Sequence, residues 1–238
     1  MRNHLTDIAE LTRLMIYHGF ASTGVCPSRQ QMSAQLVVPP AAIDSAMNEL
    51  QEQRHIAVDD RGEVVLAHPF CSVNLGFSVM GRETLWWGGC AWDSFAIPHL
   101  ILDEPSVLVA TTCPGCGAAH AWIVGTVAPP AGEQLAHFLV PTARIWDDVV
   151  HTCANQRIFC GEECIDRWLL ATGNERGSVF DLATLWRLAE HWYEGRLGSP
   201  YARREPSEAK AYFQSVGLHG AFWGTEPLPE KEGFDYSI

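Results

Sequence analysis

The chain has 238 residues, which suits one large or two small domains, and 47% hydrophobic and 18% charged residues make an ordinary globular composition. A formal net charge of −12 argues against nucleic acid or an anionic membrane surface as the main partner, because phosphate binding is driven by Lys and Arg. No apolar run approaches the roughly 20 residues that span a bilayer, and the first residues lead into an amphipathic pattern rather than a secretory core, so a cytoplasmic protein is expected. In that compartment, eight cysteines point to metal-binding or reactive thiols rather than a disulfide framework.

In chain order, Leu5, Ile8, Leu11, Leu14, Met15 and His18 recur at helical spacing, predicting a helix over 5–19 with Thr6 or Asp7 as its cap and Gly19 as its end. A short helix follows from Pro27–Met32 to about Leu36. A longer one after Pro39-Pro40 places Ile43, Ala46, Met47 and Leu50 on one face. Ile56–Val58 and Glu63–Leu66 flank the turn Asp59-Asp60-Arg61-Gly62 and read as a hairpin. Three helices and a hairpin resemble a winged helix-turn-helix. The candidate recognition helix carries Asp44 and Glu49 and no Lys or Arg, so a structural or substrate-gating lobe is expected over 1–68 instead of a DNA reader.

Residues 69–128 look strand-rich. Cys71–Val79 alternates with period two, and Glu83–Trp87 pairs with it across Met80-Gly81-Arg82. Cys90–Leu100 has helical spacing, limited by Pro98. Ser106–Thr111 and Ala119–Val124 read as strands joined by Cys113-Pro114-Gly115-Cys116-Gly117. His137–Pro141 and Arg157–Cys160 add strands, and a helix spans 161–170. Farther on, Asp181 caps a helix whose apolar face runs from Leu182 to Tyr193, and Glu205-Pro206 opens another. The last dozen residues read as a loose tail. The fold expected is α+β: a winged-helix-like lobe (1–68), a mixed or antiparallel sheet domain with treble-clef-like elements (69–175), and C-terminal helices with a tail (176–238).

The chemistry centres on Trp86–Pro98. Cys90 and Asp93 are three residues apart and share a face on a helical turn, within an aromatic run that should be buried. A buried cysteine alone is unremarkable, but a carboxyl beside it among tryptophans is costly unless it is used. A thiol and a neutral carboxyl suit metal-assisted protonation.

The stretch Cys90-Ala91-Trp92-Asp93-Ser94-Phe95-Ala96-Ile97-Pro98 resembles the Cys-Ala-x-Asp-(Thr/Ser)-x-x-(Phe/Ile)-Pro segment of alkylmercury (organomercurial) lyases. The N-terminal lobe, Cys113 and Phe159-Cys160 follow in matching order over about residues 5–170. The resemblance implies cleavage of a carbon–mercury bond by protonolysis. Cys90 and Cys160 would be the mercury thiols, Asp93 the proton donor and Cys113 a supporting cysteine. No cofactor is implied; the substrate is an organomercurial or another organometal, with small thiols as metal acceptors. Thiolates are the preferred ligands of such soft metals.

Cys113, Cys116, Cys160 and Cys164 also read as a zinc site, a CPxCG knuckle plus two cysteines at a helix start, although 43 residues separate the pairs. Were Cys160 locked there, the alternative would be a non-enzymatic, zinc-stabilised metal-binding or sensing protein. For Cys26, Cys71 and Cys153 burial is the expected account. His120, His137 and His151 could lie near the site, but core or surface roles are expected of them.

Overall fold

The computed structural model describes residues 8–226, in a mixed α+β fold. The expected caps Thr6 and Asp7 and the expected tail at 227–238 lie outside the described residues. Helix α1 (Ile8–Thr23) runs through Gly19, which does not end it as expected. A Cβ at Gly19 would stand 2.4 Å from the Pro27 ring, so glycine serves close approach there, and Gly24 at φ +74° takes the terminating role. Helix α2 (Arg29–Leu36) opens on a Ser28 capping box with Gln31, and α3 (Pro40–Glu52) opens on Pro at its first position. The faces expected to be apolar bury Ile43, Ala46, Met47 and Leu50.

Strands β1 (Ala57–Val58) and β2 (Val64–Ala67) form the expected hairpin, and β2 pairs on to β3 (Phe70–Cys71). The alternation over 71–79 is not one strand. The chain breaks at 72–76, where Asn74 Oδ1 accepts the Gly76 N–H at 2.8 Å and the Arg157 guanidinium fills the space a Gly76 side chain would need. Pairing resumes in β4 (Phe77–Met80) and β5 (Leu85–Gly88).

Next come helix α4 (Ala91–Leu100) and the long hairpin β6 (Ser106–Thr112) with β7 (Ala119–Gly125). The seven-stranded antiparallel sheet has the order β1-β2-β3-β5-β4-β6-β7. A second sheet has the order β10-β8-β9, from β8 (Leu135–Phe138), β9 (Gln156–Phe159) and β10 (Ser178–Asp181).

Between β8 and β9 lies α5 (Val149–Ala154), a helix absent from the sequence expectation. Helices α6 (Glu162–Thr172), α7 (Leu182–Glu190) and α8 (Pro206–Ser215) follow, with a 3-10 turn (Ala221–Trp223) near the end of the described residues. Asp181 caps α7 as expected, its carboxylate accepting the Thr184 N–H at 2.7 Å; α7 stops before Trp192 and Tyr193, which stand in the turn beyond it.

Helix α4 is the centre of the core. Every residue from Ala91 to Pro98 is buried. Its Ser94 approaches Gly88 so closely that a Cβ there would lie 2.0 Å from the hydroxyl. Trp92 stacks among Phe138, Trp192 and Phe213, and its indole N–H donates to the Leu188 carbonyl at 3.1 Å. The buried Arg13 donates to the carbonyls of Arg196 and Gly198, both at 2.6 Å, tying the C-terminal segment to α1. Among the described residues no helix is long and apolar enough to cross a membrane.

Three histidines are largely withdrawn from solvent. His55 and His99 are held neutral by burial, and His137, set between Phe159 and Trp168, accepts the Gly177 N–H at 3.0 Å. Burial lowers all three to about 4. Each is depressed below its unfolded value near 6.5, so its contribution to stability is present above pH about 6.5 and lost as pH falls toward 4, because the unfolded chain takes up protons first. Denaturant unfolding across this range should show stability declining below pH about 6.5; a flat profile down to pH 4 would contradict the burial of these rings.

Candidate functional site

Cys90 opens α4. Its backbone is extended, and its Sγ accepts the Asp93 N–H at 3.4 Å, making the thiol the helix N-cap. The helix terminus favours a thiolate, but burial dominates. Burial, then the neighbouring Cys153 thiol, then the Asp93 charge hold the Cys90 thiol well above the usual range. The resting thiol is therefore protonated. At Cys153 the neighbouring Cys90 thiol favours the thiolate, yet burial and the Asp93 charge outweigh it, so this thiol too stays raised.

Helix α5 delivers Cys153. Asp148 caps it by accepting the His151 N–H at 2.9 Å, and Val149, Thr152 and Cys153 turn inward. Cys153, His68 and Asp93 place their sulfur, nitrogen and oxygen atoms within 4.8 Å of one another.

Both oxygens of Asp93 are engaged. Oδ2 meets His68 Nδ1 at 2.9 Å, and Oδ1 accepts the Tyr193 hydroxyl at 2.5 Å. A Cβ at Gly89 would lie 2.4 Å from Oδ2, so the Gly88-Gly89 pair makes room for both Ser94 and the carboxyl. Burial first, then the Asp93 charge, pushes the Tyr193 hydroxyl far above its ordinary value and keeps it a donor. Arg196 braces this group from behind. Its guanidinium donates to the Tyr17 hydroxyl at 2.9 Å and the His68 carbonyl at 3.2 Å, and lies 4.9 Å from the Tyr193 ring centre.

A cavity of about 620 Å³ reaches these groups, with Trp146 and Trp192 on its walls. Arg203 packs 4.8 Å from the Trp146 ring centre and Arg204 5.6 Å from that of Trp192, so cations ring the aromatic walls of a chain that is acidic as a whole.

The structure brings Cys90 and Asp93 together. It does not bring Cys160 to them, and this corrects the expected pairing: Cys160 follows β9 and lies in a group with Cys113, Cys116 and Cys164, all four sulfurs within 4.8 Å of one another. The thiol that shares the cavity with Cys90 is Cys153, for which only burial is expected from the sequence. Cys71 is buried as expected and Cys26 is half-buried; desolvation pushes both thiols up to about 12. His120 stands beside the four-thiol group, its Nε2 3.4 Å from Cys160 Sγ; His137 is core and His151 is exposed.

Also unforeseen were His68 and Tyr193. Usable signals were the Asp148 cap with inward positions 149, 152 and 153, and a tyrosine closing the α7 apolar run.

A family model described as MerB, alkylmercury lyase, matches residues 70–194, just over half the chain. Among solved structures, the mercury-bound form of MerB2 is similar, with a TM-score of 0.60 and 13% identity, covering 81% of this chain and 92% of that one. At that identity the likeness is one of fold. No curated protein matches.

Proposed function

The chain belongs to the alkylmercury lyase family, a family of carbon–metal lyases, and on that basis we propose that it cleaves a carbon–mercury bond by protonolysis at Cys90, Cys153 and Asp93. The observation that carries the reading is a pair of buried thiols, Cys90 and Cys153, beside a doubly hydrogen-bonded carboxyl, all lining one cavity. Soft thiolates are the ligands mercury prefers.

The organomercurial enters as R–Hg⁺ handed over by a small thiol. Cys90 and Cys153 bond to mercury, and each gives up its proton. Asp93 takes one of these protons; the other goes to solvent. Two thiolates push electron density onto the metal-bound carbon, and Asp93 returns its proton to that carbon as the carbon–mercury bond breaks. The balance is R–Hg⁺ plus two thiols giving R–H, a Hg(II) dithiolate and one proton. No electron is gained or lost, so the scheme requires no redox cofactor. External small thiols then remove the metal.

His68 and Tyr193 act as positioning residues for Asp93. Tyr193→Phe removes a hydrogen bond to a carboxyl, worth about 1.5–3 kcal/mol, so turnover should fall roughly tenfold to a hundredfold while KM changes little. An unchanged turnover would show that Tyr193 only packs. The direct test of the activity is phenylmercury with excess small thiol, followed by detection of benzene; wild-type protein that captures the mercury and releases no benzene refutes the reading.

The winged-helix-like lobe (1–68) is read as a gate, since Gln53 and Arg54 at the end of α3 line the cavity. Residues 69–175 are read as the catalytic domain and 176–238 as an extension whose Trp192 and Tyr193 wall the site. A purely sensing, non-enzymatic role is not favoured for a member of this family.

A further inference from the structure

We propose that Cys113, Cys116, Cys160 and Cys164 hold a structural zinc ion that staples the β6–β7 hairpin to the start of α6, separately from the mercury site. The inference stands whether or not the lyase reading does.

Burial accounts for Cys113 but not for the other three. Cys116 is exposed at the tip of a hairpin, and Cys160 and Cys164 are only half-buried, yet all four sulfurs converge within 4.8 Å. Four thiolates about 2.3 Å from one zinc in a tetrahedron would lie roughly 3.8 Å apart, which this group meets with little adjustment. Cys116 Sγ and Cys160 Sγ are 3.4 Å apart, far beyond a disulfide bond of about 2.05 Å.

The backbone is shaped for the same end. In the knuckle, the Cys113 N–H donates to the Ala118 carbonyl and the Gly117 N–H to the Cys113 carbonyl, both at 2.8 Å. Gly117 takes φ +77°, in the left-handed region that favours glycine. A Cβ at Gly115 would stand 2.2 Å from the Cys164 carbonyl, so glycine lets the knuckle sit against the first turn of α6. Cys160 immediately precedes the α6 cap, Gly161, and Cys164 lies in the first turn. A knuckle on one hairpin facing a helix start is a treble-clef-like layout.

The local core is small, with Leu135, Trp168, Leu169 and Val179 partly buried against its centre. Only Cys113, Phe159 and Ile165 are fully buried in it, apart from the main core. Closed four-sulfur sites of this geometry are zinc's usual structural role. Binding releases up to four protons and leaves a site of charge −2. The α6 N-terminus opposes that charge, and Arg167 reaches the Gly115 carbonyl at 3.3 Å. Glu162 and Glu163 in the same turn work against it, and Glu162 is tied up by Arg176.

The test is metal analysis of the full chain purified under reducing conditions without added metal or exposure to mercury. One zinc per chain is expected, retained in Cys90→Ser and lost in Cys116→Ser. Cobalt substituted into the wild-type chain should give the absorption of a tetrahedral tetrathiolate, a readout that stands even if Cys116→Ser fails to fold. Stripping the zinc with a strong chelator should lower Tm. A metal-free protein in which these four thiols react freely, iron in place of zinc, or zinc that persists in Cys116→Ser would each overturn the proposal. Benzene release is a separate readout, so failure here and failure of the lyase activity are distinguishable.

Discussion

Cys153→Ser should abolish benzene release from phenylmercury, lowering turnover by roughly three orders of magnitude or more, the scale on which loss of a reacting group acts. Cys160→Ser should keep most of the activity. The contrast follows from placement: Cys153 lines the same cavity as Cys90 and Asp93, whereas Cys160 lies in the four-thiol group. A hydroxyl in place of the Cys153 sulfur is a poor ligand for a soft metal and leaves mercury with one thiolate. Cys90→Ser should behave like Cys153→Ser, and the double variant should be little worse than either single one, because the two thiols act as a unit. The reverse pattern, activity surviving Cys153→Ser and lost in Cys160→Ser, would restore the pairing expected from the sequence.

The second large effect is expected at Asp93. Asn is nearly the same size and can still accept from Tyr193, but it has no proton to take or return. Turnover should fall about 10²–10⁴-fold, the usual contribution of a positioned acid or base. Mercury capture should survive, since both thiols remain. Asp93→Asn protein should therefore hold the intact organomercurial, with stoichiometric binding and almost no benzene. Rapid cleavage by this variant would assign the proton to another donor, and His68, 2.9 Å from the carboxyl, would be the first to examine.

The Cys90–Asp93 half of the candidate site was legible because both residues share one helical turn, and local spacing is what a sequence displays directly. The knuckle at Cys113 and Cys116, with its partner pair at the start of α6, was legible for the same reason. Cys153 was hidden. It lies 63 positions downstream of Cys90, on a helix of six residues, too short to show a clear periodicity. Its partnership with Cys90 exists only through tertiary packing.

Tyr193 was masked by company: in an apolar run with Leu185, Trp186 and Trp192 its ring reads as core, and only the fold aims its hydroxyl at Asp93. The apparent strand over 71–79 misled for a different reason. Alternation was present, but the Asn74–Gly76 turn and the intruding Arg157 side chain, which arrives from β9, break the pairing. The missed strand β10 is short and half-buried, and pairs with β8 across a long connection.

The most direct measurement is the isotopic content of the hydrocarbon. Protein equilibrated in D₂O and given phenylmercury with excess deuterated small thiol should release benzene carrying one deuterium, in step with Hg(II) formed. Absence of benzene, phenol in its place, or benzene without deuterium would contradict proton delivery from the exchangeable thiol and carboxyl groups around Cys90, Cys153 and Asp93.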